Sequence, residues 1–110
     1  MTLRISGKQM DIGDAFRSRI ESRVGEVVDK YFDRGFSGHV TVMKSNSRFS
    51  ADCMVHLDSG MSLQATGEAQ EAIAAFENAA ERLEKRIRRY KRRLKAHASG
   101  ANDRAIDVSY

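Results

Sequence analysis

The chain has 110 residues, no Pro, no Trp and a single Cys, with 41% hydrophobic and 31% charged residues. That length fits one domain able to bury a core without disulfides or metal, and a lone Cys excludes an internal disulfide and suits a reducing compartment. No apolar run approaches the roughly 18 residues of a membrane span, the opening MTLRISGKQM has no signal-peptide stretch, and a net charge of +4 with a pI of about 9.5 points to a polyanionic partner in the cytoplasm.

Taken in order, Thr2–Ser6 alternates, with Leu3 and Ile5 on one side, and reads as a short strand. Asp11 stands as an N-cap, with Asp14 three residues on in the manner of a capping box. Phe16, Ile20, Val24, Val27 and Tyr31 then mark the stripe of an amphipathic helix over 12–32. Gly35 and Gly38 bracket its end and the following turn. His39–Lys44 is a second strand, Ser45-Asn46-Ser47 a turn, and Arg48–Leu57 the longest strand. On that strand Phe49, Ala51, Cys53, Val55 and Leu57 face one way. Asp58-Ser59-Gly60 is a hairpin signal, and Met61–Thr66 the last strand.

A long helix follows at 68–98. Ile73, Phe76, Ala80, Leu83, Ile87, Tyr90 and Leu94 recur at alternating spacings of three and four, the core stripe of one helix. Ser99-Gly100 is expected to end it, and Asn102–Tyr110 reads as a loose tail. The order is β-α-β-β-β-α. Each strand has one apolar face and each helix one apolar stripe. This predicts an α+β two-layer sandwich, with both helices on one face of a four-stranded mixed sheet. The first two strands should be parallel neighbours and the rest antiparallel hairpins. The domain is expected over 1–98, with 99–110 a flexible C-terminal tail or the start of a linker.

Catalytic chemistry is sparse. His39, His56 and His97 stand far apart with no metal-like partner at i+3 or i+4. Cys53 lies on the inward face of a strand, where a core thiol is expected rather than a nucleophile. There is no Gly-x-Ser-x-Gly turn and no Gly-rich phosphate loop. No enzymatic activity, cofactor, metal or small-molecule substrate is expected.

Charge carries the signal. In Arg82–Lys95, RLEKRIRRYKRRLK, nine of fourteen residues are Lys or Arg, and only Glu84 opposes them. The stretch carries about +8 and the rest of the chain about −4. Solvated helices interleave Glu with Lys at i,i+4, and this one does not. Six of the nine are Arg, whose forked guanidinium matches phosphate oxygens two at a time. The helix lacks the Asn, Gln or Ser that read base edges. The outward strand positions lack the aromatics of single-strand RNA readers. Backbone binding to folded RNA is the reading that remains. A membrane surface is not expected, because the basic helix has no outward Trp, Phe or Leu to insert.

These residues resemble the ribosome hibernation-promoting factor family, ribosome-associated inhibitors of translation in bacteria and plastids. LRISGKQMDIGDAFRSRIESRVGEVVDKYF looks like the family's first strand and helix, with its Ile-x-Gly strand end, Ala15 and a basic Arg23. LQATGEAQEAIAAFENAAERLEKRIRRYKRRLKAH is similar to its last strand and long basic helix. Where the family often has Asp-x-Tyr-Ala-Ala-Ile-Asp, this chain has Glu71-Ala72-Ile73-Ala74-Ala75-Phe76-Glu77, with Ile73 in place of the Tyr. The resemblance spans 2–97 and implies the same β-α-β-β-β-α fold.

It also implies a factor that binds the small ribosomal subunit, its ribosomal RNA and nearby ribosomal proteins. The site would be the messenger and transfer RNA channel near the decoding region, and the effect inhibition of translation in starvation or stationary phase. On this resemblance, RNA contact is carried onto Arg82, Lys85, Arg86, Arg88, Arg89, Lys91, Arg92 and Arg93. Arg23, Lys30 and Lys8 follow as a second tier. Family members come short or long, and the long ones add a C-terminal domain that pairs ribosomes into inactive dimers. The linker-like end of this chain favours the N-terminal domain of a long form. From the residues alone two other readings stay open: a general structured-RNA binder or chaperone, and a basic helix that docks an acidic protein.

Overall fold

The computed structural model describes residues 2–32 and 35–101, with side chains described through Leu94. The elements are β1 (Thr2–Lys8), α1 (Asp14–Tyr31), β2 (Phe36–Ser45), β3 (Arg48–Leu57), β4 (Ser62–Ala69) and α2 (Ala72–Ala101). The sheet order is β1-β2-β3-β4. β1 runs parallel to β2, and the two later pairs are antiparallel. Both helices lie on one face. α2 rests on β4 and β3, and α1 packs beside it next to β1. The expected two-layer sandwich is therefore the observed one.

The core lies between the layers. Ile20, Val24, Val27 and Val28 of α1 and Phe76, Leu83 and Ile87 of α2 are essentially fully buried. They meet Val40 and Val42 of β2, Ala51, Cys53 and Val55 of β3, and Ala65 of β4. Burial pushes the Cys53 thiol up to about 12, with the nearby Asp52 charge a smaller contributor, so it stays a protonated core group.

α2 comes unusually close to the sheet at Gly67. A Cβ there would stand 2.5 Å from both the Ala75 carbonyl oxygen and the Ala79 nitrogen. Small residues on both sides, Gly67 against Ala75 and Ala79, let the helix backbone settle onto β4. That contact sets how far the rest of α2 stands from the β4 edge.

Several local expectations are corrected. α1 starts at Asp14, its N-cap is Gly13, and no side chain caps it. Asp11 lies in the loop before the helix, exposed. Gly38 is no turn residue but lies inside β2 opposite Val55, where a Cβ would come within 2.3 Å of the Met54 carbonyl oxygen. A strand glycine demanded by close backbone approach reads in sequence like a turn signal. β2 therefore begins at Phe36, earlier than expected, and β4 runs on to Ala69. α2 continues through Ser99-Gly100 to Ala101. Ile73 falls off the core stripe at 46% exposure, because in the first turn the inward position belongs to Ala75 and Phe76. The expected tail at 102–110 lies outside the described residues.

Candidate nucleic-acid interface

The cations of α2 divide by where the helix wheel points them. Residues three and four apart share a face, so Arg82, Arg86, Arg89 and Arg93 form a ridge along the β4 side. Two contacts fix that orientation. The Arg82 guanidinium donates to the Thr66 carbonyl at 2.8 Å, and Arg86 walls a shallow cleft along Ser62–Thr66 of β4. Lys85, Arg88 and Arg92 lie on the outer face, away from the sheet. From Arg82 to Arg93 the ridge extends roughly 16 Å at the usual helical rise.

Lys85, Arg86, Arg88, Arg89, Arg92 and Arg93 are all exposed. None of the six meets a carboxylate or a carbonyl among the described residues. Their helix is held by Leu83, Ile87 and Tyr90 below them, and Tyr90 shares a 2.9 Å hydrogen bond with Ser59 of the β3–β4 turn. The arrangement is a fixed rod of positive charge whose guanidinium donors face solvent.

The other predicted cations are used differently. Arg23 of α1 reaches Glu77 at 3.1 Å and Glu84 at 3.9 Å, and Lys30 reaches Glu84 at 2.8 Å. The Tyr31 hydroxyl donates to the same Glu84 carboxylate at 3.0 Å, and Arg19 adds a 3.2 Å contact to Glu77. Lys91 donates to the Tyr31 carbonyl at the end of α1, with its Nζ 5.2 Å from the centroid of the Phe32 ring. A cation at a helix C-terminus meets carbonyls that have no partner within the helix. Lys8 stands on the open face of the sheet, away from the helices. Its register runs through Met43 and Ser50 to Glu68, so it is not brought to the α2 ridge.

Glu84 was the one acid expected to offset its neighbours on α2. It turns instead towards α1. The hydrogen bond from Lys30 holds its carboxyl below the usual carboxylate range, against an opposing contribution from partial burial. Lys30 is raised in turn, chiefly by that same hydrogen bond. The network had a signal in the sequence: Glu77 and Glu84 are two turns apart on one helix, as are Arg23 and Lys30 on the other. Four charges in matching register across two amphipathic helices define a seam.

Among the described residues no cluster of His, Cys, Asp and Glu could hold a metal ion. No described helix is long and apolar enough to cross a membrane.

A family model described as sigma 54 modulation protein / S30EA ribosomal protein matches residues 3–95. A ribosome hibernation promotion factor of Rhizobium meliloti (strain 1021) is 56% identical over 110 residues, covering 100% of this chain and 58% of that protein. One from Bradyrhizobium diazoefficiens is 45% identical over 115 residues, covering 99% of this chain and 57% of that one. The chain thus spans less than two thirds of the length of these curated relatives. Among solved structures, the N-terminal domain of Thermus thermophilus Protein Y superposes with a TM-score of 0.75 at 25% identity, over 82% of this chain and 99% of that one.

Proposed function

Because the chain belongs to the sigma 54 modulation protein / S30EA ribosomal protein family, we propose that it acts as a ribosome hibernation factor in the cytoplasm. It binds the small ribosomal subunit in the messenger and transfer RNA channel near the decoding region. Occupying that channel inhibits translation during starvation or stationary phase. The observation that carries this reading is the set of six exposed cations, without a carboxylate partner among the described residues, on a helix anchored in the core. The names of its relatives as hibernation promotion factors support it.

The physical account starts from phosphate. Ribosomal RNA presents double-helical backbone whose phosphates lie at near-regular spacing, and recognition of it rests on shape and phosphate contact rather than base edges. Lys85, Arg86, Arg88, Arg89, Arg92 and Arg93 supply donors along two adjacent faces of one rod. No donor must first leave an internal acid, so binding gains full counterion release. Arg82 adds charge to the ridge while its guanidinium holds the β4 edge. Arg23, Lys30 and Lys91 contribute indirectly by fixing α1 against α2.

Co-sedimentation with ribosomes across a salt series tests the reading. Association should weaken steeply as salt rises, and each phosphate contact removed should flatten the log–log slope by roughly 0.7–0.9. The triple variant Arg86→Glu, Arg89→Glu, Arg93→Glu should lose ribosome association and keep its helical circular dichroism. Unchanged association in that folded variant would remove the basis of the proposal. Equal affinity for arbitrary RNA duplexes, with no competition from transfer RNA, would favour a general structured-RNA binder instead.

A further inference from the structure

The free edge of β4 is closed at one end and open at the other. The bond from the Leu57 N–H to the Met61 carbonyl sets the phase of the β3–β4 ladder. Leu63, Ala65 and Gly67 then face β3 with their backbone groups, and Ser62, Gln64, Thr66 and Glu68 face away from the sheet. Two α2 side chains close the far half of this edge. Arg82 donates to the Thr66 carbonyl at 2.8 Å and Asn78 to the Glu68 carbonyl at 3.0 Å. On the opposite edge of the sheet, Arg17 donates to the Ile5 carbonyl of β1 at 3.4 Å. Covering or charging an edge in this way is how proteins block unwanted strand pairing.

The near half of β4 has no such cover. The side chains of Ser62 and Gln64 turn towards β3, where Ser62 Oγ lies 2.6 Å from His56 Nδ1 and Gln64 Nε2 donates to Asp52 Oδ1 at 2.8 Å. Their outward N–H and C=O groups have no partner among the described residues. A shallow cleft follows this half, floored by Leu63 and Ala65 and walled by Arg86. Arg89 follows Arg86 on the same ridge of α2.

We propose that the Ser62–Gln64 edge of β4 takes up an extended acidic peptide segment as an added strand. The added strand would lie about 4.8 Å from β4 and satisfy donors and acceptors in alternation. A phosphate backbone offers acceptors alone at its charged groups and would face the outward carbonyls without a donor. A polypeptide meets both. On the helix side, alternate residues of the segment stand beneath Arg86 and Arg89, so Glu or Asp is favoured there and Lys or Arg excluded. The opposite residues lie beside Ser62 and Gln64 on the polar open face and can be aliphatic.

The proposal is independent of the ribosome reading, and its test contains no RNA. The probe is an acetylated, amidated peptide of alternating Glu and Val, titrated into the isotope-labelled chain with amide exchange read by NMR. Its controls are a Glu-Pro peptide of equal charge and length and a Lys-Val peptide. Saturation with Glu-Val should slow exchange at the Gln64 amide by about tenfold or more through a new main-chain hydrogen bond. Neither control should do so. Arg86→Glu should weaken Glu-Val binding about tenfold by removing a charge-assisted contact. Gln64→Pro, which removes the N–H facing away from β3 together with the side-chain bond to Asp52, should abolish the binding while the other strand amides stay protected, and Gln64→Ala, which loses only that side-chain bond, should keep it. Absence of binding, equal binding by Glu-Pro, or binding that leaves Gln64 exchange unchanged would each overturn the proposal.

Discussion

Along its α1 side, α2 sets Glu77 and Glu84 against Arg23 and Lys30, and Lys91 against the end of α1. Along its β4 and outer sides it carries Lys85, Arg86, Arg88, Arg89, Arg92 and Arg93 with no carboxylate opposite them among the described residues. Both flanks carry charged side chains on the same helix, a turn or two apart, but only the α1 flank includes acids. The difference is whether a partner helix supplies the countercharge. Where it does, the cations fix the packing angle of α1 on α2. Where it does not, they repel one another and wait for an external anion. A charge count over the segment cannot tell these apart, since Lys91 and Arg92 are adjacent and belong to different flanks.

Phe76 is fully buried and supports both flanks, and it meets Phe16 of α1 edge-on at 6.3 Å between ring centroids. Phe76→Ala should cost about 3–5 kcal/mol in chemical denaturation. A loss below about 1 kcal/mol would mean α2 is not seated as described. Gly67→Ala forces a methyl against the α2 backbone and should cost about 1–3 kcal/mol. A neutral result in a denaturation curve would show that the close approach is not required.

Smaller changes should separate the flanks. Glu84→Gln removes the negative charge shared by Lys30, Arg23 and the Tyr31 hydroxyl and leaves a single amide oxygen as acceptor. Partial exposure of these partners limits the expected loss to about 1 kcal/mol, and ribosome affinity should hardly move. A large affinity loss with little change in stability would place Glu84 on the binding side. Acid should act on the same contact. The Glu84 carboxyl titrates lower in the folded chain than in the unfolded one, so its contribution is complete above the unfolded value. It fades as pH falls through the lower folded value. Stability should therefore drop more steeply below about pH 4.5 in the parent than in Glu84→Gln, by a fraction of a kcal/mol. Parallel curves would show the seam to be electrostatically idle.

Much of the fold was legible because it rests on local pattern. The bounds of β3 match the alternation from Arg48 to Leu57, and the α2 stripe holds from Phe76 to Leu94. Asp11 and Gly38 misled for a shared reason: residue type reports a capacity, and geometry decides its use. An Asp can cap a helix, yet Gly13 occupies the cap. A Gly can turn a chain, yet Gly38 lies inside β2, tight against the backbone of its paired strand β3. The candidate site was legible as charge but not as architecture. Glu84 and Lys30 are 54 residues apart in the chain, and pairing them requires the crossing of the two helices. The β4 edge was invisible for the same reason, since an unpaired carbonyl leaves no trace in composition.

The central claim is that unpartnered and partnered cations do different work, and a salt titration of ribosome binding tests it most directly. Arg86→Gln, Arg89→Gln, Arg93→Gln should flatten the slope by roughly 2–3 relative to the parent. Arg23→Gln, Lys30→Gln should leave the slope within error while lowering the melting temperature. Equal flattening by both variants, or flattening by the second alone, would contradict the account.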